Sequence, residues 1–357
     1  MTKREHSLYL AHDHMYRAED FRRDFDGGVG LKIVHLGVDA WIEAPSVRDY
    51  EAAYYVNTGF LARGLKRLTE VLKLERLGEP IKIVRNVADI QQAVEEDKLA
   101  LILGFEGGKI IEEDVDLLDA WFALGLRHMQ LNWAMRNSIG ASQAEEDELD
   151  QPGLTEFGFE VISRMNDLGI IVDVSHSAPK TIRDVIETTT KPLLNSHSGS
   201  RSLADKEQNL WDDQITDMAE NGGVIGVHFC SRLVLGINGV QSEIEDVVRQ
   251  IECVTQIGGI EVVGLGPDYM LNFEGRDEDY LRNTNQLDIS WTKGLEDTSE
   301  IYNIVDALKK AGFSESDIDK ITSGNMKRLI GDVLPSCCLL YTSDAADEGL
   351  GVDLGGR

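Results

Sequence analysis

Residues 153–181 read GLTEFGFEVISRMNDLGIIVDVSHSAPKT. Apolar side chains recur at helical spacing from Leu154 to Leu168, and Gly169 follows as a stop. The run Ile170–Ser175 is apolar and short, the pattern of a buried strand, and a second helical pattern covers Pro179–Glu187. Helix, strand and helix in such close succession mark the repeating unit of a parallel sheet.

The same unit recurs on both sides. Strands are predicted at Ser7–His14, Leu31–Ala40, Leu99–Gly104, His128–Asn132, Leu193–Ser196, Val224–Phe229 and Val262–Gly266. Helical patterns lie between them at Ala52–Leu74, Val115–Leu124, Ile215–Asn221, Ile244–Ile257 and Ile301–Ala311. Eight strand–helix repeats predict a closed (β/α)8 TIM barrel of the metal-dependent hydrolase type. A doubly wound dinucleotide fold would want a GxGxxG after the first strand, and none stands there. The run Ile81–Val84, with the long helix before it, reads as an insertion between the second and third strands. No low-complexity linker interrupts the pattern, so residues 1–335 are expected to form a single domain.

The chain has 357 residues, 42% of them hydrophobic, enough for one large core. A formal net charge of −28 argues against nucleic acid and against an anionic membrane, both of which demand a basic surface. A small-molecule substrate is the expected partner. No apolar run approaches the length needed to span a bilayer, and MTKREHSLYLAHDH, which has no apolar core of signal-peptide length, is not expected to act as one. Cys230, Cys253, Cys337 and Cys338 make neither a disulfide framework nor a CxxC site, so a cytoplasmic location is expected. The tail from Cys338, CLLYTSDAADEGLGVDLGGR, resembles a translated sequencing-library adapter, and residues 338–357 are expected to be a disordered artefact.

Active sites of such barrels form at the C-terminal ends of the strands, and ligand-type residues gather there. The first strand ends in His12-Asp13-His14; alternation turns His12 and His14 one way and Asp13 the other. Glu106 follows the apolar run Leu99–Phe105, where a carboxylate is costly to bury unless it is paired or metal-bound. Gly107 and Gly108 after it permit a sharp turn and a close approach. His176 and His197 each close a strand in a Ser-His-Ser setting, and Asp268 follows the last strand in EVVGLGPDYM. Imidazole and carboxylate are ligands that zinc prefers, and an acidic residue beside a metal-activated water can take its proton. His6, His35, His128 and His228 show no such motif in the sequence.

These residues resemble the membrane (renal) dipeptidase family of metallopeptidases, within the amidohydrolase superfamily. The resemblance runs from about His12 to Leu329. It is most specific in residues 153–181, in KPLLNSHSGSRSLADKEQNLWDDQI (191–215), in GLGPDY (264–269) and in the closing SGNMKRLIG (323–331). It implies two zinc ions bridged by Glu106, one completed by His12 and His14, the other by His176 and His197. It implies that a hydroxide between the ions attacks the scissile amide of a dipeptide, with Asp268 as its base and as proton carrier to the departing amine. A homodimer is implied as well.

Three departures stand out. The family's first motif usually reads His-x-Asp and here reads His-x-His, which removes a negative charge at His14. Many relatives carry His where this chain has Trp133, so any polarising of the carbonyl passes to Asn132 or Asn137 or is lost. The Arg that binds the substrate carboxylate is replaced by Gln208, which offers hydrogen bonds without charge; Lys206, Arg201 or Arg136 could compensate. That last change leaves open a non-peptide amide, ester or lactone as substrate. A metal-binding protein without activity is the remaining alternative.

Overall fold

The computed structural model describes residues 6–39, 59–133, 135–145, 152–270 and 289–336. The apolar runs form strands where their patterns place them: β1 (Leu8–Asp13), β2 (Val29–Val38), β3 (Ile81–Ile83), β4 (Leu99–Glu106), β5 (Leu126–Gln130), β6 (Ile171–Asp173), β7 (Leu194–Ser198), β8 (Val224–Val227) and β9 (Val263–Leu265). All pairings are parallel, in the order β2-β1-β9-β8-β7-β6-β5-β4, and β2 pairs with β4 to close the ring. The result is an eight-stranded TIM barrel. β3 stands outside it, pairing with the start of β4 (Ile81↔Leu99 to Ile83↔Leu101). β5 pairs further along the same strand, at Gly104↔His128 and Phe105↔Met129. The run Ile81–Val84 is therefore an addition to the barrel, as expected.

The helix at Glu156–Leu168 shows how local chemistry sets the ends. Thr155 Oγ1 accepts from Gly158 N at 3.0 Å, and Gly169 closes the last turn at φ +76°. Among the helices that escaped the sequence reading are Ala18–Gly27 and Val87–Glu95. Each is short, and the second is set largely by its cap: Asn86 Oδ1 accepts from Ala88 N at 2.9 Å. The helix expected over Ala52–Leu74 runs from Phe60 to Arg76 in the described part. The tail from Cys338 lies outside the described residues.

The core has two layers. One packs the outward faces of the strands (Leu103, Phe105, Val174, Val227) against the helices, through residues such as Trp121, Met165 and Ile251. The other fills the N-terminal half of the barrel interior with Ala11, Ile33, Ile102, Ile171, Leu194 and Val224. Met326, Leu329 and Ile330 from the helix Asn325–Val333 plug that end. No helix among the described residues is long and apolar enough to cross a membrane.

Candidate metal centre

The polar site sits directly above the apolar plug, because side chains alternate along each strand. Counting upward by two from interior residues, Leu31 and Ile33 lead to His35, and Ala100 and Ile102 lead through Gly104 to Glu106. Ile171 leads to Asp173, and Val224 leads through Gly226 to His228.

Two strands break this count. Leu10↔Lys32 is followed by Asp13↔Val34, three steps on β1 against two on β2. Asn195↔Ile225 is followed by Ser198↔Val227, with the same mismatch on β7. Each is a bulge that re-aims a side chain. Past them His12 and His197 turn inward, their rings 3.7 Å apart between centroids.

His12, His14, Glu106, His176, His197 and Asp268 meet at one point and are all buried. Glu106 Oε2 lies 3.1 Å from His14 Nε2. Its Oε1 lies 3.1 Å from His176 Nε2 and 3.4 Å from His197 Nε2. The two Nε2 atoms of His12 and His14 are 3.0 Å apart, as are those of His176 and His197. Ligands held at about 2.0–2.1 Å around a tetrahedral ion sit about 3.3 Å from one another. The spacing here is of that kind, and two groups of donors form, His12–His14–Glu106 and Glu106–His176–His197. Asp268 Oδ1 faces the first group, 3.3 Å from His12 Nε2 and 3.5 Å from His14 Nε2. It is buried and without a hydrogen-bond partner among the described residues, an oxygen left for a cation or a water. The donor set fits a metal.

A third group of donor type, His12–His35–Asp173, lies beneath. Its carboxylate is already occupied: Asp173 Oδ2 lies 3.0 Å from His128 Nε2, and Oδ1 accepts from Ser175 N at 2.9 Å and Ser196 N at 3.1 Å. His35 stacks on His12 with centroids 3.6 Å apart. These groups are a polar floor under the ligands.

The electrostatics follow from burial and partners. Burial pushes the carboxyls of Glu106 and Asp268 upward. Histidine contacts outweigh it, so both stay well below the usual carboxylate range. Burial, reinforced by His197, lowers His12 to about 3, and burial lowers His228 to about 4. On the outer side of β1, Asp13 and Asp24 clamp the fully buried Lys32 at 3.2 and 2.6 Å. Asp13 thus points away from its two histidine neighbours, as alternation predicts.

The backbone is specialised at the same place. His176 (φ +62°) and Asp268 (φ +54°) adopt the left-handed conformation, unusual for residues other than glycine and frequent at functional sites. Gly107 has φ +114°, and a Cβ there would come within 2.2 Å of Asp39 Cγ. The glycines after Glu106 are therefore steric requirements.

The residues expected to touch substrate are placed differently. Asn132 Nδ2 donates to Asn137 Oδ1 (3.2 Å) and Gly140 O (3.0 Å), and Asn137 Nδ2 donates to Asp39 Oδ2 (2.8 Å) and Leu131 O (2.7 Å). Both amides are committed to holding their own loop. Gln208 Nε2 donates to His197 O at 3.2 Å. Trp133 is half-buried at the rim, bridged through its main chain to Met135. Lys206 turns to Asn238 Oδ1 at 3.2 Å. Arg201 shares a narrow gap of about 10 Å³ with His176 and Gln208; its guanidinium lies over the Trp211 ring at 4.2 Å, and its Nε donates to Asp205 Oδ1 at 2.9 Å. Beside this gap opens a cavity of about 530 Å³ lined by Glu145, Lys180, Arg183, Ser202 and Trp211. Its size is ordinary for a small-molecule site.

Sequence reasoning missed His228. Its Nε2 lies 3.2 Å from Asp268 Oδ2, so it has the partner its sequence surroundings do not show. The signal was present in Val224-Ile225-Gly226-Val227-His228, where alternation from the strand's inward positions ends on the histidine.

A closed parallel barrel with histidine and carboxylate donors converging on its C-terminal rim defines a metal-centred barrel protein. Residues 35–335 match the family model described as membrane dipeptidase (peptidase family M19), and the chain belongs to that family. The match begins after β1, so it does not include His12 and His14. Dipeptidase aclJ of Aspergillus oryzae is 30% identical over 236 residues, 66% of this chain and 52% of that protein. An uncharacterized dipeptidase of Schizosaccharomyces pombe is 28% identical over 234 residues, with 65% and 52% covered. The chain thus spans about half the length of these curated relatives. Among solved structures, an amidohydrolase from Pseudomonas aeruginosa superposes with a TM-score of 0.79 at 25% identity, over 92% of this chain and 97% of that one. A metallo peptidase from Rhodobacter sphaeroides, solved with a phosphinate mimic of the dipeptide L-Ala-D-Ala, shares the fold with a TM-score of 0.75 at 19% identity. There the coverage is 92% and 99%.

Proposed function

We propose that this protein is a dinuclear zinc hydrolase that cleaves the amide of a small dipeptide. The observation that carries the reading is the division of Glu106: one oxygen faces His14, the other faces His176 and His197. A carboxylate so placed would bridge two ions, His12 and His14 completing one and His176 and His197 the other. Bound there, zinc supplies Lewis-acid polarisation of the carbonyl and a water ionised near neutral pH. Asp268, held as a carboxylate with Oδ1 toward the donors, would accept a proton from an attacking water there and return it to the departing amine. Gln208 carries no charge, and Arg201, in the same wall as His176, would supply the positive charge for the substrate's carboxylate on leaving its pair with Asp205. The family and the dipeptidases among the relatives support this reading.

A second reading keeps the centre and changes the substrate to a non-peptide amide, ester or lactone. It is favoured by Gln208, whose amide is turned to a main-chain carbonyl rather than into the cleft. Zinc-loaded protein lacking residues 338–357 is assayed against dipeptide, ester and lactone panels, with a chelator control. Dipeptide turnover abolished by chelator, and lowered roughly 10²–10⁴-fold by Asp268→Asn, is expected. Turnover confined to esters or lactones overturns the dipeptide in favour of the second reading.

A further inference from the structure

We infer that His228 is a positioning residue for Asp268: a neutral imidazole, locked in one tautomer, whose Nε2–H fixes the carboxylate through Oδ2 and leaves Oδ1 turned to the reaction centre. The inference rests on the role proposed for Asp268 above.

The tautomer follows from a main-chain contact. Cys230 N donates to His228 Nδ1 at 2.8 Å. A backbone amide can only donate, so Nδ1 must carry its lone pair and the ring proton must sit on Nε2. Cys230 precedes the short helix Ser231–Leu235, and the turn into that helix brings its N–H back over the ring. The tautomer is therefore set by the course of the backbone. Nε2 then lies 3.2 Å from Asp268 Oδ2, close enough to donate but not aligned as a hydrogen bond here, and no hydrogen-bond partner stands nearer among the described residues. Hydrogen bonds in such centres often straighten only when the site is filled.

The consequence lies on the other oxygen. Asp268 Oδ1 faces His12 Nε2 and His14 Nε2. If those nitrogens serve as ligands they have no proton to offer, and among the described residues His228 is the side-chain donor that remains beside the carboxylate. Main-chain support is at the residue's other end, where Asp268 N donates to His12 O at 3.2 Å. Asp268 is in a left-handed conformation, a strained setting that persists where surrounding contacts fix it, and His228 on the adjacent strand end is one such contact. His228 is 2% exposed, so the contact is shielded from bulk water.

The test uses His228→Leu and His228→Gln in the full chain, with thermal midpoint and zinc content measured beside kinetics. A Gln amide can place an N–H near the position of Nε2, whereas Leu cannot. The expected result is a 10–100-fold fall in kcat for His228→Leu, with KM within about twofold and zinc content unchanged, and recovery of most of that loss in His228→Gln. Equal kcat in the two variants, or a loss carried by KM or by zinc content, overturns the inference. Nitrogen-15 spectra of histidine-labelled, metal-free protein decide the tautomer without any turnover. A proton on Nε2 of His228 is expected, lost as a sharp coupled signal in neither zinc-free nor zinc-loaded protein, and a proton on Nδ1 overturns the inference. If the wild-type protein cleaves no dipeptide, the function proposed above fails, while the spectra still decide the assignment of His228.

Discussion

The two halves of the barrel interior are built by the same alternation and filled with opposite chemistry. Below, Ile33, Ile102, Ile171 and Val224 pack against Met326, Leu329 and Ile330 from the closing helix. One step higher on the same strands stand His35, Gly104, Asp173 and Gly226, followed by Glu106 and His228. The lower half excludes water and gains from burial, at roughly 25 cal/mol per Å² of apolar surface. The upper half spends part of that gain. His35 is fully buried and leaves both ring nitrogens without a hydrogen-bond partner among the described residues. Groups so placed are costly to desolvate and are retained where a site needs them. A rigid apolar plug beneath a costly polar rim is how the fold holds several imidazoles within contact distance of one carboxylate.

The largest expected effect comes from attacking the top of that column. Glu106→Gln removes the charge that faces both donor pairs. Zinc content after loading should fall below two ions per chain, and kcat should drop by at least roughly 10²–10³-fold, the scale for losing one electrostatic stabiliser. Retention of both ions in the variant would rule out the bridge.

A smaller effect separates the halves by pH. His228 is held neutral, with its pKa lowered to about 4 by burial, and His12 to about 3. In the unfolded chain a histidine protonates near 6.5. Below that pH the unfolded state binds more protons than the folded one, so stability falls as pH drops from about 6.5 toward 4. His228 alone accounts for on the order of 3 kcal/mol of that loss. Denaturant titrations of metal-free protein at several pH values measure it, and a flat profile between 6.5 and 4 would contradict the assignment of neutral buried rings.

The smallest effect belongs to the lower half. Ile33→Val, two residues before His35 on the same strand, should cost about 0.5–1.5 kcal/mol of stability and leave zinc content and kcat unchanged. If kcat fell with it by tenfold, the two halves would not be separable.

Much of this was legible in the sequence. Short apolar runs with helical patterns between them gave the eight barrel strands, and Ile81–Val84 its place outside the ring. The six central residues were singled out by ligand type at or just past strand ends together with the family resemblance, and the structure brings them together. The packing of the substrate-side residues was not legible. Asn132, Asn137 and Gln208 have polar amides suited to ligand contact, and only packing showed those amides spent on Gly140, Asp39, Leu131 and His197. His228 was hidden for the opposite reason. Its strand-end position was readable, but its partner Asp268 lies beyond the next strand, so no motif joins the two.

The sequence by itself determined the strand count, the parallel order implied by helices between strands, and the chemistry available at each strand end. Those properties follow from local periodicity and residue type, which need no knowledge of distant contacts. Tertiary structure decided which way the strand ends face. The bulges in β1 and β7 turn His12 and His197 inward against simple alternation, because their register is set by the neighbouring strands. It also decided the state of each titratable group, since burial and cross-strand partners, set by ring closure between β2 and β4, fix what is charged and what is neutral.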